Sequence, residues 1–353
     1  PVSRKSYPKQ FSKFIDKKHS FFQKTLLRLL QMKKLKVLDP IIFTLEEYRF
    51  IVQEQLDEIG VTAEAIFLEP SSKNTAPTVL CSILNLDDKD YSGNVLIMPT
   101  DHSVIDEKEF SKCIEVALKN VNDGEVITFG VKPNRIETGY GYLKVKGSNH
   151  SEIYEVESFV EKPDERTAAD MISSGKFLWN SGIFFSNVKT LKRLFIKHAS
   201  YLIEPIERSL QLSLNDLSFI RLDGAQWEKC ASISIDYAIM EKSTKLKSVA
   251  LNAGWSDMGN WGSILRESEK DDQGCFISGN VMAESCSGSL LVSNSQDLEM
   301  LALGLKNLVV VSSNDAVLIA DRERTNDIKP LLDALKKKGV NQAENFKKIT
   351  DPG

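Results

Sequence analysis

Up to about residue 250 the chain alternates short apolar runs with stretches whose apolar positions recur every three or four residues. Over Glu46–Ile59, the residues Tyr48, Ile51, Val52, Gln55, Leu56 and Ile59 fall at helical spacing, and Gly60 ends the run. The pattern predicts helix Thr25–Lys34, strand Val37–Thr44, that helix, strand Ala65–Leu68 and helix Thr78–Leu86, opened by Asn74 and Pro77. Strand Val95–Met98, helix Glu107–Asn120 and strand Val126–Val131 follow. Helix and strand alternating at short intervals signal an α/β fold with a mostly parallel sheet flanked by helices, a Rossmann-like arrangement. Val95–Met98 is a continuous apolar run, as expected of a strand buried on both faces. It stops at Pro99 and delivers Asp101 just beyond, where ligands of open α/β sheets collect. Asp101 is placed there to hold a divalent cation against a phosphate; alternatively, Asp101 or Ser103 caps the helix that starts near Asp106.

The middle is less regular. Strands are expected at Leu143–Lys146, Ile153–Phe159, Ile183–Phe185 and Val249–Leu251, and helices at Glu165–Ser174, Val188–His198, Leu202–Leu210 and Ser234–Lys242. Near Gly274 the texture changes to short β-rich segments divided by Gly, Ser, Asn and Asp, with no helical period between them. A small coiled β domain, β-helical in character, is expected there, closed by a terminal helix over Asn326–Lys338. The domain boundaries predicted are 1–273 for the α/β domain, 274–339 for the β-rich domain with its helix, and 340–353 for a polar linker or tail.

Composition narrows the function. With 45 Lys+Arg against 49 Asp+Glu, a net charge of −4, there is no general attraction for nucleic acid or an anionic membrane. Phosphate binding must be local, and residues 1–24, with Arg4, Lys5, Lys9, Lys13, Lys17, Lys18 and Lys24, form either a solvated basic loop or an anion-binding lip. Five scattered cysteines without a CxxC pair, and histidines outside any HExxH, suit reduced thiols in a cytoplasm better than disulfides or zinc. No apolar run approaches the ~18–20 residues of a membrane span. With no signal peptide in view, a cytoplasmic protein is expected.

The segments PVSRKSYPKQF, FLEPSSKNTAP, MPTDH, FVEKP, WNSGIF, SIDYAIMEKS and WSDMGNW follow one another in this order. Together they closely resemble the bacterial mannose-1-phosphate guanylyltransferases, the GDP-mannose pyrophosphorylases, and the likeness continues through NLVVVSSNDAVLIADRERTNDIK. The resemblance implies the reaction of GTP with α-mannose 1-phosphate to give GDP-mannose and pyrophosphate, with Mg²⁺. It implies Arg4 and Lys9 as the cations that neutralise the triphosphate, and Asp101 and Asp257 as the metal ligands. It places Glu69, Asn74 and Thr75 beside the guanine and ribose, although Asn74 also suits a plain helix cap. Glu161 is implied to bind sugar hydroxyls, Lys162 the sugar phosphate, and Gly141 and Asn180 to line the sugar pocket, Gly141 so that backbone can approach the ligand. Trp179 and Trp255 read as packing residues and His102 as structural, because an anionic nucleophile needs no general base. The family opens with a Gly-rich loop, GGxGTRLWP, directly before the segment with which the sequence here starts, and some relatives carry a cupin-type phosphomannose isomerase domain after the transferase. The alternatives are a nucleotidyltransferase for another sugar 1-phosphate and a non-catalytic nucleotide-sugar-binding protein. Exposed edges of the β-rich segment suggest a homodimer.

Overall fold

The structure, a computed structural model, describes residues 4–13, 16–32, 34–147 and 151–345. The chain forms two compact units, one of Pro1–Leu27, Thr100–Ser103 and Ser256–Gly353, the other of Arg28–Pro99 and Val104–Trp255.

The larger unit carries two sheets between helices. In the first, Ile41–Leu45 pairs in parallel with Ala65–Glu69, which pairs in parallel with Phe219–Arg221; Leu214–Asp216 closes it antiparallel. The second sheet runs in the order Asn94–Ile97, Phe177–Asn187, Val126–Val131, Leu246–Ala250, Ile153–Glu161, Gly141–Lys146. Neighbours along a strand point to opposite faces. Phe184 and Leu143 accordingly join a core with Phe67, Leu80, Leu191 and Trp227, while Phe185 and Tyr142 join another with Phe110, Phe129 and Trp179.

The α/β architecture is as expected, but the mostly parallel pairing needs correction. Val126–Val131 and Leu246–Ala250 are parallel, whereas the other described pairings of the six-stranded sheet are antiparallel. Two strands account for this: Phe177–Asn187, eleven residues long, runs antiparallel to Asn94–Ile97, Val126–Val131 and Gly141–Lys146, and Ile153–Glu161 runs antiparallel to Gly141–Lys146 and Leu246–Ala250. A second correction concerns the apolar run at 95–97. Its residues are only half-buried, because Asn94–Ile97 is the end strand of its sheet.

In the smaller unit the β-rich segment is a coil. Phe276–Ser278, Leu290–Ser293 and Leu308–Ser312 stack in parallel on one side, and Val281–Glu284 pairs in parallel with Met300–Leu303 on the other. Cys275, Cys286, Leu291 and Ala302 fill one core cluster here, and Phe276, Leu290, Val309 and Val311 another. The antiparallel strand Val317–Asp321 and helix Ile328–Lys337 end the unit.

This unit extends beyond the boundary expected at 273/274. Phe21, Met258, Ile264 and Leu265 pack with the strands of the coil. Residues 1–24 are therefore not a solvated basic loop in their described part: Arg4, Phe11, Ser20, Phe21 and Phe22 are buried, and the first helix starts at Phe21. Nor is the chain after Gly339 a loose linker as far as residue 345. Ala343 is buried, and the Glu344 carbonyl accepts from the Lys5 N–H at 2.9 Å. Residues 346–353 of the expected tail lie outside the described residues. All five cysteines are buried free thiols, as expected.

Candidate functional site

In the smaller unit, Lys9 joins the two aspartates that sequence separates widely. Its ammonium donates to Asp101 Oδ2 at 3.3 Å and to the Asp257 carbonyl at 2.5 Å, and lies 5.3 Å from the centre of the Phe21 ring. Lys9 reaches this position from the short turn Lys9–Phe11, anchored by buried Phe11. Asp257 Oδ1 accepts from the Gly259 N–H at 3.0 Å, and the intervening Met258 adopts φ 50°. A non-glycine residue in the left-handed region is an energetic cost that clusters at functional sites. Asp101 is not a helix cap: Asp106 caps Glu107–Asn120 by accepting from the Glu109 N–H. Its carboxylate is left for other work.

Arg4 does not join this group, a correction to its expected role as a triphosphate cation. Its guanidinium donates to Asp315 Oδ1 and Oδ2 at 2.5 and 2.7 Å, to Ser313 Oγ at 3.1 Å and to the Asn345 carbonyl at 2.8 Å. Both partners of the pair are buried, at 2% and 5% side-chain exposure. A guanidinium whose donors are used this way braces the unit.

In the larger unit, the NTAP segment opens helix Thr75–Asp88. Asn74 caps it by accepting from the Thr75 N–H at 2.9 Å, with φ 66° and ψ −169°, a backbone region nearly reserved for glycine. Glu69, at the end of its strand, accepts from the Thr78 hydroxyl at 2.5 Å, and burial pushes its carboxyl up from the usual range. The Thr75 hydroxyl accepts from the Ile235 N–H at 2.9 Å, tying this loop to the SIDY segment.

A second polar group gathers where Gly141–Lys146, Ile153–Glu161 and Phe177–Asn187 adjoin. Opposite Val126–Val131 the register slips: Thr128 faces Phe184 but Gly130 faces Asn180, and Gly182 takes φ 71°. This bulge sets the Asn180 amide between the Thr128 hydroxyl, 2.8 Å from Oδ1, and Asp236, whose Oδ1 accepts from Nδ2 at 2.9 Å. Bulges commonly re-aim a side chain beside a site. Glu161 lies 3.0 Å from the Lys162 ammonium, and this hydrogen bond raises the lysine above its usual range. Lys162 itself adopts φ 49°. Glu161 Oε2 is buried without a hydrogen-bond partner among the described residues. A buried acceptor without a donor is costly unless a ligand supplies one.

Gly141 makes room for a side chain. A Cβ here would lie 2.5 Å from Glu161 Oε2 and 3.0 Å from the Phe159 ring. Gly141→Ala is accordingly expected to displace the Glu161 carboxylate, as a crystal structure of the variant would show. Trp179 packs edge-on against Tyr140 at 5.3 Å, with the Arg135 guanidinium 4.8 Å from its ring, in keeping with a packing role. Asp236 was absent from the residues expected at the site. Its sequence signal, an acid just after a Ser cap, also fits ordinary complementation of a helix dipole.

These groups stand on a fold found in known proteins. The sequence profile of the nucleotidyl transferase family matches residues 1–274. The mannose-1-phosphate guanylyltransferase RfbM of Salmonella typhimurium is 35% identical over 360 residues, covering 100% of this chain and 73% of that protein. This chain belongs to the nucleotidyl transferase family. The alginate biosynthesis protein AlgA of Pseudomonas aeruginosa is 34% identical over 354 residues, covering 100% of this chain and 72% of its own. Among solved structures, that described as a mannose-1-phosphate geranyltransferase from Thermus thermophilus superposes with a TM-score of 0.81 at 26% identity, over 95% of each chain. This nucleotidyltransferase thus shares its fold over nearly its whole length, β-rich coil included. Among its described residues no helix is long and apolar enough to cross a membrane.

Proposed function

We propose that this nucleotidyltransferase converts GTP and α-mannose 1-phosphate to GDP-mannose and pyrophosphate. A sugar-phosphate oxygen attacks the α-phosphorus, and the bond from that phosphorus to the α,β-bridging oxygen breaks, releasing pyrophosphate. The observation that carries this reading is the meeting of Asp101 and Asp257 on the Lys9 ammonium. The nucleophile is already anionic, so catalysis rests on positioning and charge neutralisation.

Each set of residues has a task in this reading. Lys9, held by the Asp101 carboxylate and the Asp257 carbonyl, sets a positive charge where the nucleotide phosphates are to be neutralised. Lys162, 57% exposed and charged, meets the sugar phosphate, and Glu161 with Asn180 holds sugar hydroxyls. The Asn74 and Thr75 loop, with Glu69, takes the guanine and ribose.

No group of three or more metal-ligating side chains occurs among the described residues. Mg²⁺ asks for less: one or two carboxylates, completed by phosphate oxygens and water. The hard oxygens of Asp101 and Asp257 fit it. When bound, the cation supplies charge neutralisation at the phosphate oxygens. Buried free thiols suit a reducing compartment, and we place the activity in the cytoplasm.

The test is a pyrophosphate-release assay on the purified full-length protein, with GTP against UTP and ATP, and mannose 1-phosphate against glucose 1-phosphate. GTP with mannose 1-phosphate is expected to give the highest kcat/KM. A higher value for another pair would reassign the substrate, and binding of GDP-mannose without turnover by any pair would make the protein a binding module.

A further inference from the structure

Asp236 is the group on which the sugar-side polar cluster converges. Its Oδ1 accepts from Asn180 Nδ2 at 2.9 Å. An ionised carboxylate only accepts, so it forces the nitrogen end of the amide to face it. Asn180 Oδ1 then lies 2.8 Å from the Thr128 hydroxyl. The backbone leading into Asp236 is held as well. The Ile235 N–H donates to Thr75 Oγ1, the Ala76 N–H to the Ile233 carbonyl at 3.0 Å, and the Ile233 N–H to the Lys73 carbonyl at 3.1 Å.

The charged groups facing Asp236 are Glu161 and Lys162, from the end of strand Ile153–Glu161. On its own side of the chain, Tyr237 acts on Lys162, and Glu241 lies within the field of Glu161. Glu161, 9% exposed, keeps Oε2 without a donor among the described residues. A sugar hydroxyl is a donor of the right kind, and the Asn180 amide, fixed in one orientation by Asp236, adds a directed donor.

We propose that Asp236 is a positioning residue for the sugar, its charged form locking the Asn180 amide between itself and Thr128 so that one carboxylate's protonation switches sugar recognition. The assignment rests on the sugar role given to Glu161 and Asn180 above. Burial, then the neighbouring Glu161 charge, pushes the Asp236 carboxyl up to about 6, inside the range where such a switch is observable.

Two measurements test the proposal together. In the sugar-free protein, the Asn180 side-chain amide resonance followed by NMR is expected to move with a midpoint near pH 6, and to lose that midpoint in Asp236→Asn. In calorimetry, GDP-mannose is the probe, because its diphosphate has no ionisation near the second phosphate pKa of about 6 that a sugar 1-phosphate carries. Its affinity is expected to fall below pH 6 in the native protein, and to be about tenfold weaker but pH-independent in Asp236→Asn, with the KM for GTP unchanged. An Asn180 amide indifferent to pH, or an Asp236→Asn protein with native affinity and native pH dependence, overturns the proposal. An amide that titrates as expected in a native protein that binds no GDP-mannose supports the lock and overturns the substrate assignment instead.

Discussion

Asp101→Asn is expected to lower kcat/KM by about a thousandfold, the scale on which removing one electrostatic stabiliser of a developing charge slows an enzyme. The variant keeps the size and shape of the side chain and removes its charge. The Lys9 ammonium, 3.3 Å from Asp101 Oδ2, would then lose its ion pair, and the Mg²⁺ site proposed above would lose one of its two anionic donors. The carboxylate is 43% exposed, so its ion pair with Lys9 adds little to stability. The melting temperature should therefore stay close to native while the activity collapses. The accompanying sign is a higher Mg²⁺ concentration for half-maximal rate, read from a titration at saturating GTP. Native kcat/KM in Asp101→Asn would remove Asp101 from the chemistry.

Arg4→Ala is expected to do the reverse, costing stability first. Removing the guanidinium would leave Asp315, 5% exposed, without its bidentate partner, and the Asn345 carbonyl and Ser313 without their donor. Breaking a buried pair from one side costs about 3–5 kcal/mol, a large part of the 5–15 kcal/mol that holds a typical domain folded. Urea unfolding should show the loss in the transition assigned to the smaller unit. Arg4→Met combined with Asp315→Leu should recover part of it, because no charge is then stranded. Below the unfolding midpoint, kcat/KM of Arg4→Ala should change far less than that of Asp101→Asn. A thousandfold loss of activity in a stably folded Arg4→Ala protein would return Arg4 to the phosphates.

Much of the fold was legible in sequence because its signals are local. The spacing over Glu46–Ile59, the Asn74 cap and the apolar run ending at Pro99 each specify an element without reference to the rest of the chain. Pairing direction is not local. Phe177–Asn187 carries the same residues whether its neighbours run with it or against it, so its antiparallel insertion could not be read from its sequence. The half-burial of 95–97 follows from that strand's place at the end of its sheet, which the apolar run alone does not reveal. Arg4 illustrates a related limit. A basic residue in a basic segment looks available for phosphate until Asp315, distant in sequence, is seen to occupy it. The resemblance pointed to Asp101, Asp257, Glu161 and Asn180 as candidates for the proposed site. Asp236 was hidden because a Ser-capped helix start accounts for an acid there equally well. Gly141 also admits the Glu161 side chain, a contact between neighbouring strands that sequence does not reveal.

The central claim is a transfer at the α-phosphorus, and ³¹P NMR of the products tests it most directly. Purified full-length protein incubated with GTP, mannose 1-phosphate and Mg²⁺ should yield pyrophosphate and the paired resonances of a nucleotide-sugar diphosphate in equal amounts, with neither formed when mannose 1-phosphate is left out. GDP with inorganic phosphate, or GTP left intact beside unchanged mannose 1-phosphate, would contradict it.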